Sequence, residues 1–83
     1  MSLQEEFDKA VNRTKELTQR PSNDILLKLY ALYKQSTVGD VQGDPPGAMD
    51  FKAAAKYRSW ESMKGKSMDA CKKEYIQLVN SLE

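Results

Sequence analysis

Apolar residues recur along this chain at helical spacing, and each recurrent run opens on a residue suited to cap it. Leu3, Phe7, Val11, Thr14 and Leu17 step by three and four with charges between them, and Ser2 with Glu5 three positions later forms a capping box. A first helix is therefore predicted to run to about Thr18. Arg20-Pro21-Ser22 breaks it, because the residue before a proline is pushed out of helical geometry, and Ser22 can cap a second helix with Asn23 and Asp24 at the favourable end of its dipole. This second helix is expected to carry Leu26, Leu29, Tyr30 and Tyr33 inward and to end near Ser36. Asp50 can cap a third, on which Ala53, Tyr57 and Trp60 form one stripe and Lys52 and Lys56 share another face, with Gly65 as its stop. Ser67 opens the last helix, where Met68, Cys71, Tyr75, Leu78 and Leu82 give the clearest amphipathic stripe in the chain.

Between the second and third helices, Thr37 to Met49 holds Gly39, Gly43, Pro45, Pro46 and Gly47 and shows no periodicity, which marks a long ordered connection. Connections of that length in small domains are often functional. Four helices without a strand signal describe an all-α bundle, and the long link allows the second and third helices to run in the same direction. With 83 residues, the chain is expected to form a single domain over residues 1–83, since chains of this size bury only about 60% of their unfolded surface and do not sustain two cores.

Composition narrows the chemistry. Thirteen basic against twelve acidic residues give a net charge of +1, so there is no global field of the kind nucleic-acid binders use, no nucleic-acid partner is expected, and any anion site must be local. The chain has no histidine and one cysteine, Cys71, so an internal disulfide, the usual zinc sets and Ser-His or Cys-His nucleophile pairs are excluded, and no enzyme activity is expected. Cys71 lies on the packed stripe and reads as a small buried hydrophobe. No apolar run approaches the roughly 18 to 20 residues of a membrane span, and the start Met-Ser-Leu-Gln-Glu-Glu lacks the basic and apolar regions of a signal peptide, so the expected location is cytoplasmic.

Leu29 to Asp40 is the stretch with the most to say. Tyr30, Tyr33 and Lys34 stand at i, i+3 and i+4, which puts two phenols and an ammonium on one helical surface. Rings beside a fixed cation suit a ligand with both a flat heterocycle and a phosphate, and a nucleotide fits that description. The same face reads equally well as two half-buried tyrosines with a lysine lying across them. Lys15 on the first helix and Lys52 and Lys56 on the third would join an anion site if a phosphate lay between helices; each alone reads as a solvated surface charge.

These residues resemble the acyl-CoA-binding protein family. The likeness runs from Phe7 to Leu82 and is most specific over Tyr30-Ala31-Leu32-Tyr33-Lys34-Gln35-Ser36-Thr37-Val38-Gly39-Asp40, followed by Pro46-Gly47, Asp50-Phe51-Lys52, Ala55-Lys56, Trp60, Lys64-Gly65, Ala70 and Tyr75. It implies a four-helix up-down-down-up bundle that holds medium- and long-chain acyl-CoA thioesters in a surface bowl without altering them. By that pattern Tyr30, Tyr33, Lys34 and Lys56 would grip the adenosine and its 3′-phosphate, Lys15 would stand near the same head group, and Phe7, Val11 and Tyr75 would line the ligand groove; Lys52, beside Lys56, is expected to join the site if the phosphate lies between the second and third helices. Trp60 reads as a core residue beside Tyr57 and Ala53. The chain departs from the pattern at Ser36, Ala54 and Tyr57, where alanine, lysine and tryptophan are usual, at Pro45, where a charge is common, and after Glu83, where many members carry a short basic tail.

The resemblance therefore implies an intracellular carrier and pool former in fatty acid metabolism and transport, with fatty acyl-CoA as ligand, free CoA bound more weakly, and no cofactor or metal. It is expected to be a monomer whose further partners are acyl-CoA-using enzymes or a membrane touched transiently during delivery. The alternative is an acyl-CoA-binding or helical interaction module belonging to a larger multidomain protein, since four amphipathic helices can also present a groove to a partner helix.

Overall fold

The computed structural model describes residues 1–47 and 49–83; of the predicted long connection, Ala48 lies outside the described residues. Among the described residues there are four helices and no strand: α1 (Leu3–Thr14), α2 (Asn23–Thr37), α3 (Phe51–Glu61) and α4 (Met68–Leu82). All four predicted N-caps are in place. Ser2 Oγ accepts from the Glu5 amide at 3.2 Å while the Glu5 carboxylate accepts from the Ser2 amide. Ser22, Asp50 and Ser67 accept in the same way from the amides of Ile25, Ala53 and Ala70, at 3.3, 3.0 and 3.1 Å. Each cap satisfies a donor that its helix cannot.

The helix directions follow from which ends meet. Arg13 at the end of α1 reaches Asn80 Oδ1 at 3.0 Å and Glu83 at 2.8 Å beyond the end of α4, so α1 and α4 run parallel. Gln35 near the end of α2 donates to the Lys66 carbonyl at 3.1 Å just before α4 begins, so α2 opposes α4. Tyr30 meets Lys56 and Lys34 meets Trp60, which sets α2 and α3 parallel. The result is the up-down-down-up bundle that the family likeness implied. The packing pairs are α2 with α4, α1 with α4 and α2 with α3, so α4 and α2 are central and α3 lies against α2.

The core is built where α1, α2 and α4 converge, from Phe7, Ala10, Leu29, Leu32, Cys71, Tyr75 and Val79, with Val11, Ile25, Met63, Ile76, Leu78 and Leu82 packed around them. Here the structure corrects several sequence expectations. Helix α1 ends at Thr14, not near Thr18: the Thr14 hydroxyl donates to the Val11 carbonyl at 2.6 Å and the amides of Lys15 and Glu16 turn tightly back to Asn12 and Arg13, leaving Leu17 outside. On α2 Leu29 is buried as expected, but the most deeply buried positions are Ala31, Leu32, Gln35 and Ser36, while Tyr33 keeps 40% of its surface exposed, because the inward line faces α4. On α4 the buried line is Cys71, Tyr75 and Val79, one helical turn apart, and Met68 stays 43% exposed at the bundle's end. Helix α3 stops at Glu61, and a run of turns carries the chain to Gly65, whose φ of +89° makes the reversal.

Polar contacts anchor the first part of the long connection. Asp40 Oδ1 accepts from the Gln35 side-chain amide at 2.7 Å and from the Gly65 amide at 2.9 Å, joining α2 to the α3–α4 turn. Those two donors, the Gly65 amide first, hold the Asp40 carboxyl below the usual carboxylate range. From α3, Trp60 Nε1 donates to the Gly39 carbonyl at 2.8 Å and the Tyr57 hydroxyl to the Gly43 carbonyl at 3.1 Å. These bonds help fasten a helix with no fully buried side chain of its own.

Two outcomes follow. Leu32→Ala, which empties a fully buried site, should lower unfolding free energy by about 2–5 kcal/mol in urea titrations, whereas a loss under about 1 kcal/mol would mean that Leu32 is not core. Because the folded pKa of Asp40 lies below its unfolded value, the carboxylate's contribution is complete above the ordinary range and is lost as pH falls through it. Between about pH 5 and pH 2 the melting temperature of Asp40→Asn should therefore fall less steeply than that of the unaltered protein; superimposable profiles would contradict the Asp40 bridge.

Candidate functional site

Helix α2 presents a residue to each side of the bundle's surface. Tyr30, half-buried, faces α3, where Lys56 Nζ stands 5.4 Å from its ring centroid; Lys34 Nζ, one turn along α2, stands 5.9 Å from the same centroid. Lys34 also lies 5.6 Å from the Trp60 ring. These distances are within cation–π range, so the electron-rich faces of a phenol and an indole hold two ammonium groups that would otherwise repel each other. Among the described residues neither lysine makes an ion pair. Two ammonium groups thus stand near one phenol ring, at 5.9 and 5.4 Å, and among the described residues neither is paired with a carboxylate, which is the chemistry of an anion site.

Beside this cluster, between the N-terminal halves of α2 and α3, runs an open groove of about 440 Å³ lined by Arg20, Asn23, Leu26, Leu27, Tyr30, Phe51, Lys52, Ala55 and Lys56. Its walls are apolar at Leu26, Leu27, Ala55 and Phe51, the last of these 80% exposed, and among the described residues the charges that line it are cationic, from Arg20, Lys52 and Lys56. A concave surface that is oily along its length and positive at its rim suits an amphiphile with an anionic head.

The other side of α2 carries a separate aromatic group. Tyr33 stacks on Phe7 with centroids 6.0 Å apart, Phe7 meets Tyr75 edge-on at 5.1 Å, and Tyr33 and Tyr75 are 6.5 Å apart. Tyr33, Phe7 and Val11 line a second groove of about 270 Å³ together with Gln4, Asp8, Asn12 and Thr37. Phe7 and Tyr75 are 1% and 4% exposed, so they form the floor under Tyr33. Burial pushes the Tyr75 phenol's pKa up, and the neighbouring Tyr33 adds to this while Thr14 opposes it. Cys71 is wholly buried, and its thiol is pushed up by burial and by the Glu74 carboxylate, as befits a packing residue.

The structure thus brings Tyr30, Lys34, Lys56 and Lys52 together on the α2–α3 side, and Phe7, Val11, Tyr33 and Tyr75 together on the α1 side. Lys15 is exposed at the C-cap of α1 and lines neither groove. Sequence reasoning missed several contributors, among them the groove residues Asn23, Leu26, Phe51 and Ala55. Trp60 was expected in the core but is half-buried against Lys34; Arg20 was read only as a helix breaker; and Leu27 does not fall on the inward stripe chosen for α2. Spacing alone offers a signal only for Trp60, which is one turn from Lys56 on α3.

Fold and surface together define a small helical binding module, with a parallel helix pair holding an aromatic, cationic site. Residues 4–79 match the family model "Acyl CoA binding protein", and the chain belongs to that family of binding proteins. It is 52% identical over 80 residues to an acyl-CoA-binding protein of Saccharomyces cerevisiae, covering 96% of this chain and 88% of that one. To an acyl-CoA-binding protein homolog of Drosophila melanogaster it is 46% identical over 80 residues, covering 96% and 93%. The crystal structure of Oryza sativa acyl-CoA-binding protein 2 superposes with a TM-score of 0.93 at 40% identity, covering 98% of this chain and 90% of that one. Among the described residues no helix is long and apolar enough to cross a membrane.

Proposed function

We propose that this chain binds medium- and long-chain fatty acyl-CoA thioesters non-covalently and releases them unaltered, as a monomeric cytoplasmic carrier and pool former. In this reading residues 1–83 act as one acyl-CoA-binding domain that hands its ligand to acyl-CoA-using enzymes, in some cases at a membrane surface. The observation that carries it is the Tyr30 ring with both the Lys34 and Lys56 ammonium groups beside it, at the end of an oily groove. The adenosine 3′-phosphate would take the two lysines, the adenine would lie against tyrosine, and the alkyl tail would lie along Leu26, Leu27 and Ala55.

Magnitudes make both halves necessary. At about 0.8 kcal/mol per methylene, a sixteen-carbon tail gains roughly 11 kcal/mol on complete burial, and less in an open groove. Association costs roughly 4 to 15 kcal/mol, which consumes most of that gain. Charge-assisted hydrogen bonds at about 1.5 to 3 kcal/mol each then lift retention into a useful range. No step of bond making or breaking is required of the protein, and no base or nucleophile needs to face the thioester.

Titration calorimetry tests this division. Lys34→Ala and Lys56→Ala should each weaken palmitoyl-CoA and free CoA by the same factor, about 10- to 100-fold, and free CoA should bind the unaltered protein far more weakly than palmitoyl-CoA. Removing two carbons from the tail should cost up to roughly tenfold on its own, with the lysine effects unchanged. Unaltered affinity in Lys34→Ala would remove the phosphate assignment, and no binding of palmitoyl-CoA by the unaltered protein would end the reading.

A further inference from the structure

Trp60 meets the end of α2 at two points, the Gly39 carbonyl and the Lys34 ammonium. The Lys34 carbonyl accepts from the Val38 amide at 2.8 Å and the Gly39 amide at 3.2 Å, which closes α2. Gly39 can make that turn because its φ of +95° lies where other residues are strained. Its own carbonyl accepts from Trp60 Nε1 at 2.8 Å. The same indole offers its face to the Lys34 ammonium, 5.6 Å from the ring centroid. One side chain on α3 therefore fixes the backbone that closes α2 behind Lys34 and also the charge at that lysine's tip.

The second of these contacts matters because, among the described residues, Lys34 has one other aromatic face within reach, Tyr30 at 5.9 Å, and Lys56 already stands 5.4 Å from that ring. Without the indole, Lys34 would share a single phenol with a like charge or swing into solvent, and a long unbranched side chain regains much rotamer freedom by swinging out. Trp60 is only half-buried, on a helix with no fully buried residue, so core packing does not account for its placement.

We propose that Trp60 is a positioning residue that presets Lys34 for the phosphate of the ligand, and thereby sets how strongly the site prefers a ligand carrying that phosphate. This rests on the acyl-CoA reading given above. It separates the indole from the apolar groove residues Leu26, Leu27 and Ala55, whose loss would not distinguish CoA from its 3′-dephospho form.

The test compares CoA with 3′-dephospho-CoA by calorimetry in the unaltered protein, Trp60→Phe and Trp60→Leu, each alone and with Lys34→Ala. Trp60→Leu should lose roughly three- to tenfold in affinity for CoA and less than about twofold for 3′-dephospho-CoA. Trp60→Phe, which keeps a ring under the ammonium but no N–H donor, should retain most of the preference. In the Lys34→Ala background, Trp60→Leu should change neither affinity further. Equal losses for both ligands, or an undiminished effect of Trp60→Leu without Lys34, would overturn the proposal. A second measurement needs no ligand: the Lys34 ε-methylene protons should be shifted upfield by the indole in the free protein and should lose that shift in Trp60→Leu. Protons that keep their position in Trp60→Leu would also overturn it. Unaltered protein that binds no CoA would instead defeat the functional reading, and the proton shifts would still decide where Trp60 holds Lys34.

Discussion

The parallel pairing of α2 with α3 is the constraint on which the rest of the molecule depends. Short turns make antiparallel neighbours, so two consecutive helices running the same way need a connection long enough to return the chain along their whole length. Val38 to Asp50 does this, and its anchors are spread among three elements: Asp40 between Gln35 and Gly65, Gly39 on Trp60, and Gly43 on Tyr57. Only in this direction do Tyr30 and Lys34 of α2 come level with Lys56 and Trp60 of α3. An antiparallel α3 would carry the same side chains to the wrong end of the groove.

What could be read in advance divides along the range of the forces involved. The four N-caps are local chemistry, one side chain bonding an amide three residues on, and Ser2, Ser22, Asp50 and Ser67 were all legible. Periodicity showed that each helix has an inward face but not which neighbour would claim it. Helix α4 packs against both α1 and α2, so its buried line settles on Cys71, Tyr75 and Val79, between the two. Met68 belongs to the stripe by spacing and yet lies past the core, close enough to Gly39 that a Cβ there would stand 3.3 Å from its Cε. The end of α1 was misjudged because Leu17 continues the apolar rhythm, while Thr14 turns its hydroxyl back on the Val11 carbonyl.

The site was legible in its parts and not in its partition. Tyr30, Tyr33 and Lys34 do share one helical surface, as their spacing required, but that surface is the ridge of α2 between two grooves. Tyr33 leans toward Phe7 and Tyr75, and Tyr30 toward Lys56. A three-residue step on a helix subtends about 300°, which leaves neighbours roughly 60° apart, enough to send two rings to opposite flanks of one ridge. Phe7 and Tyr75 are buried beneath Tyr33, so their packing belongs as much to the core as to the groove.

Helix α3 shows how placement of the site trades against stability. It supplies Lys52, Lys56 and Trp60, packs against α2, and has no fully buried residue, so few apolar contacts oppose its local opening. Two hydrogen bonds to loop carbonyls, at about 1 kcal/mol net each, compensate only in part. A ligand that bridges Lys34 and Lys56 would add contacts available only while α3 is docked, and by mass action it would stabilise the docked state in proportion to its affinity. The helix without a fully buried residue is thus the one whose docking a bound ligand would reinforce, while the core of α1, α2 and α4 stands apart from it.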